Sequence, residues 1–150
     1  MVHIPTPLNT ATELSLTMPD ILQRYFDTLN AKDFQQTVLL FAPQGQLVPP
    51  FEEPVVGREA IAHYLATEAS EMEMTPLTCT AIQEESLEEK TPKEKTVAHT
   101  KTFQVKGKVK HLLFVVNVAW QFEIDGTDHI SSVNIKLLAS LKELIKINRQ

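Results

Sequence analysis

From Leu112 onward the even positions read Leu112, Phe114, Val116, Val118, Trp120, Phe122 and Ile124, an unbroken apolar face on one extended segment. Side chains alternate along a strand, so this run requires a sheet with one face turned to an interior. Trp120 at its centre predicts that this face lines a deep hydrophobic pocket. The odd positions turn polar at Asn117, Gln121 and Glu123, whereas Leu113 and Val115 keep the start of the second face apolar. That part is expected to meet a helix or a second subunit.

Helical periods come first along the chain. Thr17-Met18-Pro19-Asp20 predicts a helix start with a hydroxyl cap and an early proline. Met18, Ile21, Leu22, Tyr25 and Leu29 follow at helical spacing. Asp33 is expected to cap a second short helix carrying Phe34, Val38 and Phe41, which Ala42-Pro43-Gln44-Gly45 would end with a turn. The prolines at 49, 50 and 54 predict a short strand and a wrapped loop up to Gly57. A third helix is expected from about Arg58 to Glu68, with Ile61, Tyr64 and Leu65 on one side.

After Ser70 the period becomes two, through Met72 and Met74 and then Leu77, Cys79 and Ala81. Residues 84–93 form a charged, solvated hairpin loop by composition. Val97, Phe103 and Val105 then share a face, Gly107 is expected to turn the chain, and Asp125-Gly126 to make the next hairpin. A last strand carries Val133, Ile135 and Leu137, and Ser140-Leu141-Lys142-Glu143 reads as a capping box opening a terminal helix. The expected organisation is an extended arm over 1–16 and one domain over 17–150, with a helical tail from about 139. Three helices followed by a meander predict an α+β cone, a curved antiparallel sheet with helices packed over its concave face. The wording from Phe41-Ala42-Pro43 to Val56-Gly57-Arg58-Glu59-Ala60-Ile61 resembles the nuclear transport factor 2-like superfamily, which has that architecture.

Several function classes lose support. A formal charge of -5 gives no basic face for nucleic acid. Cys79 is the only cysteine, which rules out an intrachain disulfide or a CxxC metal pair and suits a reducing cytosol. Met1-Val2-His3-Ile4-Pro5 does not read as a secretory signal, and no apolar stretch nears the roughly 18 residues of a membrane span. His63, His99, His111 and His129 lie in different elements without metal-ligand spacing. No GxSxG occurs, Cys79 has no adjacent base, and Asp33 is explained as a cap, so neither nucleophilic nor acid–base catalysis finds its residues. Binding remains. Tyr25 and Trp120 each join a large apolar body to one hydrogen-bond donor. Packing the first helix over the sheet would let phenol and indole converge on a single acceptor oxygen, such as a ketone. The plainer alternative is that both are core packing.

A resemblance adds to this reading. Tyr25-Phe26-Asp27-Thr28-Leu29-Asn30-Ala31-Lys32-Asp33-Phe34 resembles the first helix and turn of the C-terminal domain of the orange carotenoid protein of cyanobacteria. The likeness continues through residues 40–51, with Pro49-Pro50-Phe51, and through Lys106-Gly107-Lys108-Val109, Asn117-Val118-Ala119-Trp120-Gln121-Phe122 and residues 137–144. With no helical carotenoid domain before it, the chain resembles the free-standing C-terminal-domain homologues. The resemblance implies a ketocarotenoid, canthaxanthin or echinenone, held in an apolar tunnel shared by a homodimer. It implies transfer of pigment to helical carotenoid proteins, with a photoprotective and singlet-oxygen-quenching role rather than enzyme activity. It also implies a cytoplasmic place, with transient contact at thylakoid membranes for pigment uptake.

In that family a tyrosine and a tryptophan hydrogen-bond the keto oxygen, and Tyr25 and Trp120 match those positions. Leu29, Met72, Met74 and Phe122 match apolar tunnel positions, while Phe114 and Val118 share the strand face of Trp120. Leu113 stands where the full-length photoproteins have a second tryptophan, and Ala69 where they have a cysteine. The alternatives are a small-molecule isomerase or cyclase on the same cone, and a pocketless dimerisation module.

Overall fold

Helix α1 (Asp20–Asn30) follows from its apolar stripe: Ile21, Leu22, Tyr25, Phe26 and Leu29 are all buried. Phe26 lies outside the simple spacing count and widens the stripe. The N-cap is Pro19 rather than Thr17, with φ −57° and ψ 148°, and its carbonyl accepts from the Leu22 and Gln23 N–H groups at 3.0 and 3.1 Å. Proline holds this extended cap conformation without a side-chain bond. The computed structural model describes residues 17–82 and 100–138; the expected arm, the charged loop over 84–93 and the terminal helix lie outside them. Asp33 caps helix α2 (Phe34–Leu39), its carboxylate accepting from the Gln36 N–H at 3.4 Å.

The expected turn at Ala42–Gly45 is instead part of strand β1 (Phe41–Val48). Proline and glycine are tolerated there because the pairing of β1 is irregular between Phe41 and Gln46. Strand β2 (Val55–Val56) and helix α3 (Arg58–Glu68) follow, then β3 (Met72–Ile82), β4 (Lys101–His111), β5 (Phe114–Ile124) and β6 (Ile130–Leu137). They make one six-stranded sheet in the order β2-β1-β6-β5-β4-β3. The α+β cone expectation holds, with one feature the meander reading lacked: β1 and β6 are parallel.

Two glycine and hairpin expectations change. Gly107 lies inside β4, opposite Pro76 and Val118. A Cβ there would sit 2.1 Å from the Thr75 carbonyl oxygen, so glycine permits close strand approach rather than a turn. The real β4–β5 turn is Leu112–Leu113, with Leu112 at φ 59°. The last hairpin spans residues 125–129, held by the Asp125 carboxylate accepting from the Thr127 and His129 N–H groups at 2.9 and 3.1 Å. Register also shifts between Pro76 and Thr78 of β3. This bulge brings Met72 and Met74, on even positions, and Cys79, on an odd one, opposite His111, Val109 and Val105, which alternate along one face of β4.

The helices are tied to the sheet at defined points. The Asn30 amide donates to the Met74 carbonyl and accepts from the Met74 N–H, both at 2.8 Å, as a neighbouring strand would. The Lys32 ammonium donates to the Met72 carbonyl, and the Arg58 guanidinium donates twice to the Phe41 carbonyl at 2.9 and 2.7 Å. Asn30→Ala leaves Met74 unclamped at the sheet edge. Two partly exposed bonds make the expected loss about 1–2 kcal/mol, read as a lower urea midpoint with unchanged slope.

Candidate ligand-binding cavity

Between α1, α3 and the concave side of the sheet lies a cavity of about 150 Å³. Tyr25 and Leu29 reach it from α1; Tyr64, Leu65 and Glu68 from α3; Met72 and Met74 from β3. The sheet contributes Val109, Val116, Val118, Trp120, Ile135 and Leu137, and the loop after β1 contributes Pro49 and Pro50. The lining is almost wholly apolar. Its exposed members, Glu68 and Leu137, mark the mouth. Such a space takes about one six-membered ring, by comparison with cavities that admit benzene.

The aromatic core fixes the two donors. The Tyr25 ring meets Phe26 edge-on at 5.1 Å and Phe122 at 5.0 Å, while Phe26 packs edge-on against Trp120 at 4.7 Å. Tyr25 and Trp120 are each only 1% exposed, yet both line the cavity. Among the described residues neither the Tyr25 hydroxyl nor the Trp120 indole N–H bonds to the protein, and no fully enclosed side-chain polar atom goes unpaired. Both donors therefore open onto the cavity rather than into packed protein. Burial, and then the nearby Tyr64, push the Tyr25 pKa well above the ordinary phenol value. Partial burial, then Glu52 and Glu68, push Tyr64 up to about 12. Both phenols keep their protons, and so their donor capacity, throughout the neutral range.

Of the residues expected at a site, the structure brings together Tyr25, Leu29, Met72, Met74, Val118 and Trp120 around this cavity. Phe122 lies beyond it, fully buried under Tyr25 and Phe26. Leu113 and Phe114 stand at the exposed β4–β5 tip, uncovered by a described helix. The site reading missed the α3 face, although Tyr64 and Leu65 had the right spacing to signal it. It also missed Ile135 and Leu137, whose alternation placed them on the same face as Val133. Glu68 is the only carboxylate in the described lining, and it is exposed at the mouth.

A model of the SnoaL-like domain matches residues 22–110. The chain belongs to that family. As a SnoaL-like domain it is 33% identical over 136 residues to the orange carotenoid-binding protein of Limnospira maxima, covering 88% of this chain and 39% of that one. The structure of the orange carotenoid protein of Anabaena (Nostoc) sp. binding canthaxanthin superposes with a TM-score of 0.70 at 29% identity, covering 87% of this chain and 39% of that one. The chain thus spans about two fifths of the length of the curated relative it matches. It is a homologue of the C-terminal domain of the orange carotenoid protein. A putative polyketide cyclase from Sinorhizobium meliloti shares the fold at 22% identity and a TM-score of 0.62, covering 81% of this chain and 97% of that one.

Proposed function

We propose that this chain is a non-enzymatic ketocarotenoid-binding protein whose cavity holds the oxygenated end ring. The observation that carries this reading is the pair of donors, Tyr25 and Trp120, opening onto an apolar space without an acceptor among the described residues. A keto oxygen accepts two hydrogen bonds and brings no donor of its own, which matches two N–H or O–H groups and, among the described residues of the lining, no buried base. A cavity of about 150 Å³ takes the ring and leaves the polyene to leave by the mouth. The rest of the pigment would then be enclosed by a second copy, as a homodimer, and passed to helical carotenoid proteins in a photoprotective role. The cofactor is canthaxanthin or echinenone.

Mixing the apoprotein with canthaxanthin should give a red-shifted visible spectrum that saturates at a fixed stoichiometry. A folded sample that leaves the pigment spectrum unchanged would refute the reading. Binding should also be flat with pH up to about 10, where an ordinary phenol begins to ionise. The sign follows from the raised Tyr25 pKa, which favours the neutral donor and moves its loss to more alkaline conditions. A spectral titration that lost binding near neutral pH would point to a different polar partner.

A further inference from the structure

The aliphatic wall of the cavity is built mainly from Leu, Val and Ile, hydrocarbon side chains that mild oxidants leave alone. Met72 and Met74 bring the only sulfur atoms to the described lining. A thioether packs there about as well as leucine, but it also takes an oxygen atom from peroxide, and the resulting sulfoxide is polar. Leucine would meet the packing need alone, so what sulfur adds at these positions is reactivity.

The two sulfur-bearing side chains are not equally placed. Met74 is 8% exposed, and the Asn30 amide holds its N–H and its carbonyl. Met72 is half-buried. It lines the cavity and also a second, open recess of about 450 Å³, formed with Asn30, Lys32, Ser70, Glu71, Glu73 and Lys110. No other described residue lines both spaces. Its main chain is pinned: the N–H donates to the Ala69 carbonyl at 3.1 Å, the carbonyl accepts from the Lys32 ammonium, and the strand pairs it with His111. Met72 is thus a fixed partition between an apolar cavity and a polar recess open to solvent.

Among the described residues no rival sulfur stands at that partition. Met18 is half-buried just before α1 and lines neither space. Cys79 lines neither as well, and burial pushes its pKa up, which keeps the thiol protonated and slow toward peroxide.

We propose that Met72 is an oxidation site that controls occupancy of the cavity: hydrogen peroxide entering from the outer recess converts its thioether to the sulfoxide, and the cavity releases its apolar ligand. The sulfur lone pair attacks one peroxide oxygen, the O–O bond breaks, and that oxygen stays on sulfur while the other leaves as water. Sulfur gives up two electrons and peroxide takes them, so no further reductant or cofactor enters. The new oxygen is a strong acceptor. Turned inward, it competes for Tyr25 and Trp120, the donors that the keto oxygen of the proposed ligand would use. Turned outward to Lys32 and Ser70, it draws the side chain from the wall and joins the cavity to the recess. Affinity falls either way. The inference rests on the cavity taking an apolar ligand, whether or not that ligand is a carotenoid.

The full chain is treated with hydrogen peroxide, and the oxygen gained at each methionine is followed by peptide mass spectrometry. Met72 should be oxidised at least about fivefold faster than the more deeply buried Met74. Uptake is read with canthaxanthin, by its visible spectrum, and with β-ionone, a one-ring ketone, by quenching of Trp120, the chain's single tryptophan. Once Met72 is converted, both affinities should fall at least about fivefold, as expected for a polar group added to an apolar wall. Met72→Leu should hold its own starting affinity through the same treatment, although Met18 and Cys79 can still be oxidised there. Equal rates at Met72 and Met74 overturn the proposal, as does unchanged uptake with Met72 fully converted. So does an equal loss in Met72→Leu, which would place the damage at another residue. Uptake of β-ionone without canthaxanthin would sink the carotenoid reading and leave the role of Met72 to be decided by β-ionone. Uptake of neither probe overturns both.

Discussion

Gly107→Ala is expected to destabilise the protein by roughly 3 kcal/mol or more, a larger effect than a surface-strand substitution normally has. The added Cβ would lie 2.1 Å from the Thr75 carbonyl oxygen and 2.9 Å from the Pro76 Cα. Both are backbone atoms of the paired strand, so no side-chain rotation relieves the clash. Strand β3 would have to move off β4 next to its bulge, taking Met72 and Met74 with it, and these line the cavity. Urea unfolding should show the stability loss, and ligand uptake should fall in parallel. A midpoint within the error of the native protein would mean that β3 shifts freely and that the bulge does not fix the methionine wall.

Particular residues show where sequence reasoning succeeds. The α1 stripe and the even face of β5 are local periodicities, and burial follows them at Leu22, Tyr25 and Leu29 and at Val118, Trp120 and Ile124. Periodicity also located α3, expected from about Arg58 to Glu68. It failed where the determining partner is distant in sequence. Gly107 looks like a turn residue until Thr75 is known to lie against it, and Pro43 looks like a helix stop until β1 pairs irregularly with β6. Leu112 and Leu113 look like strand because their chemistry is wrong for the tight turn they make. The site divides in the same way. Tyr25 and Trp120 could be named from their chemistry, whereas the part played by Tyr64, Leu65 and Ile135 depends on how α3 sits over the sheet. Phe122 shares the face of Trp120, but α1 closes over it, so that Val116, Val118 and Trp120 are the β5 residues that line the cavity.

Replacing Tyr25 and Trp120 together by phenylalanine should weaken canthaxanthin binding roughly 5- to 150-fold, the loss of two hydrogen bonds at about 0.5–1.5 kcal/mol each. The single variants separate the role in binding from the role in folding. Tyr25→Phe removes only a hydroxyl that has no protein acceptor among the described residues, and the ring keeps its contacts with Phe26 and Phe122. Stability should therefore stay level or rise slightly, while affinity falls roughly 2- to 12-fold for one bond. Trp120→Phe also removes volume beside Phe26 and should cost stability by about 1–3 kcal/mol, so its affinity must be measured on folded protein. β-Carotene, which has no keto group, supplies the control: the native chain should prefer canthaxanthin, and the double variant should lose that preference. A native chain binding both pigments equally would show that Tyr25 and Trp120 shape the cavity without reading the oxygen. Loss of stability in Tyr25→Phe would show instead that its hydroxyl has a structural partner, and the argument for a keto-ended ligand would lose its main support.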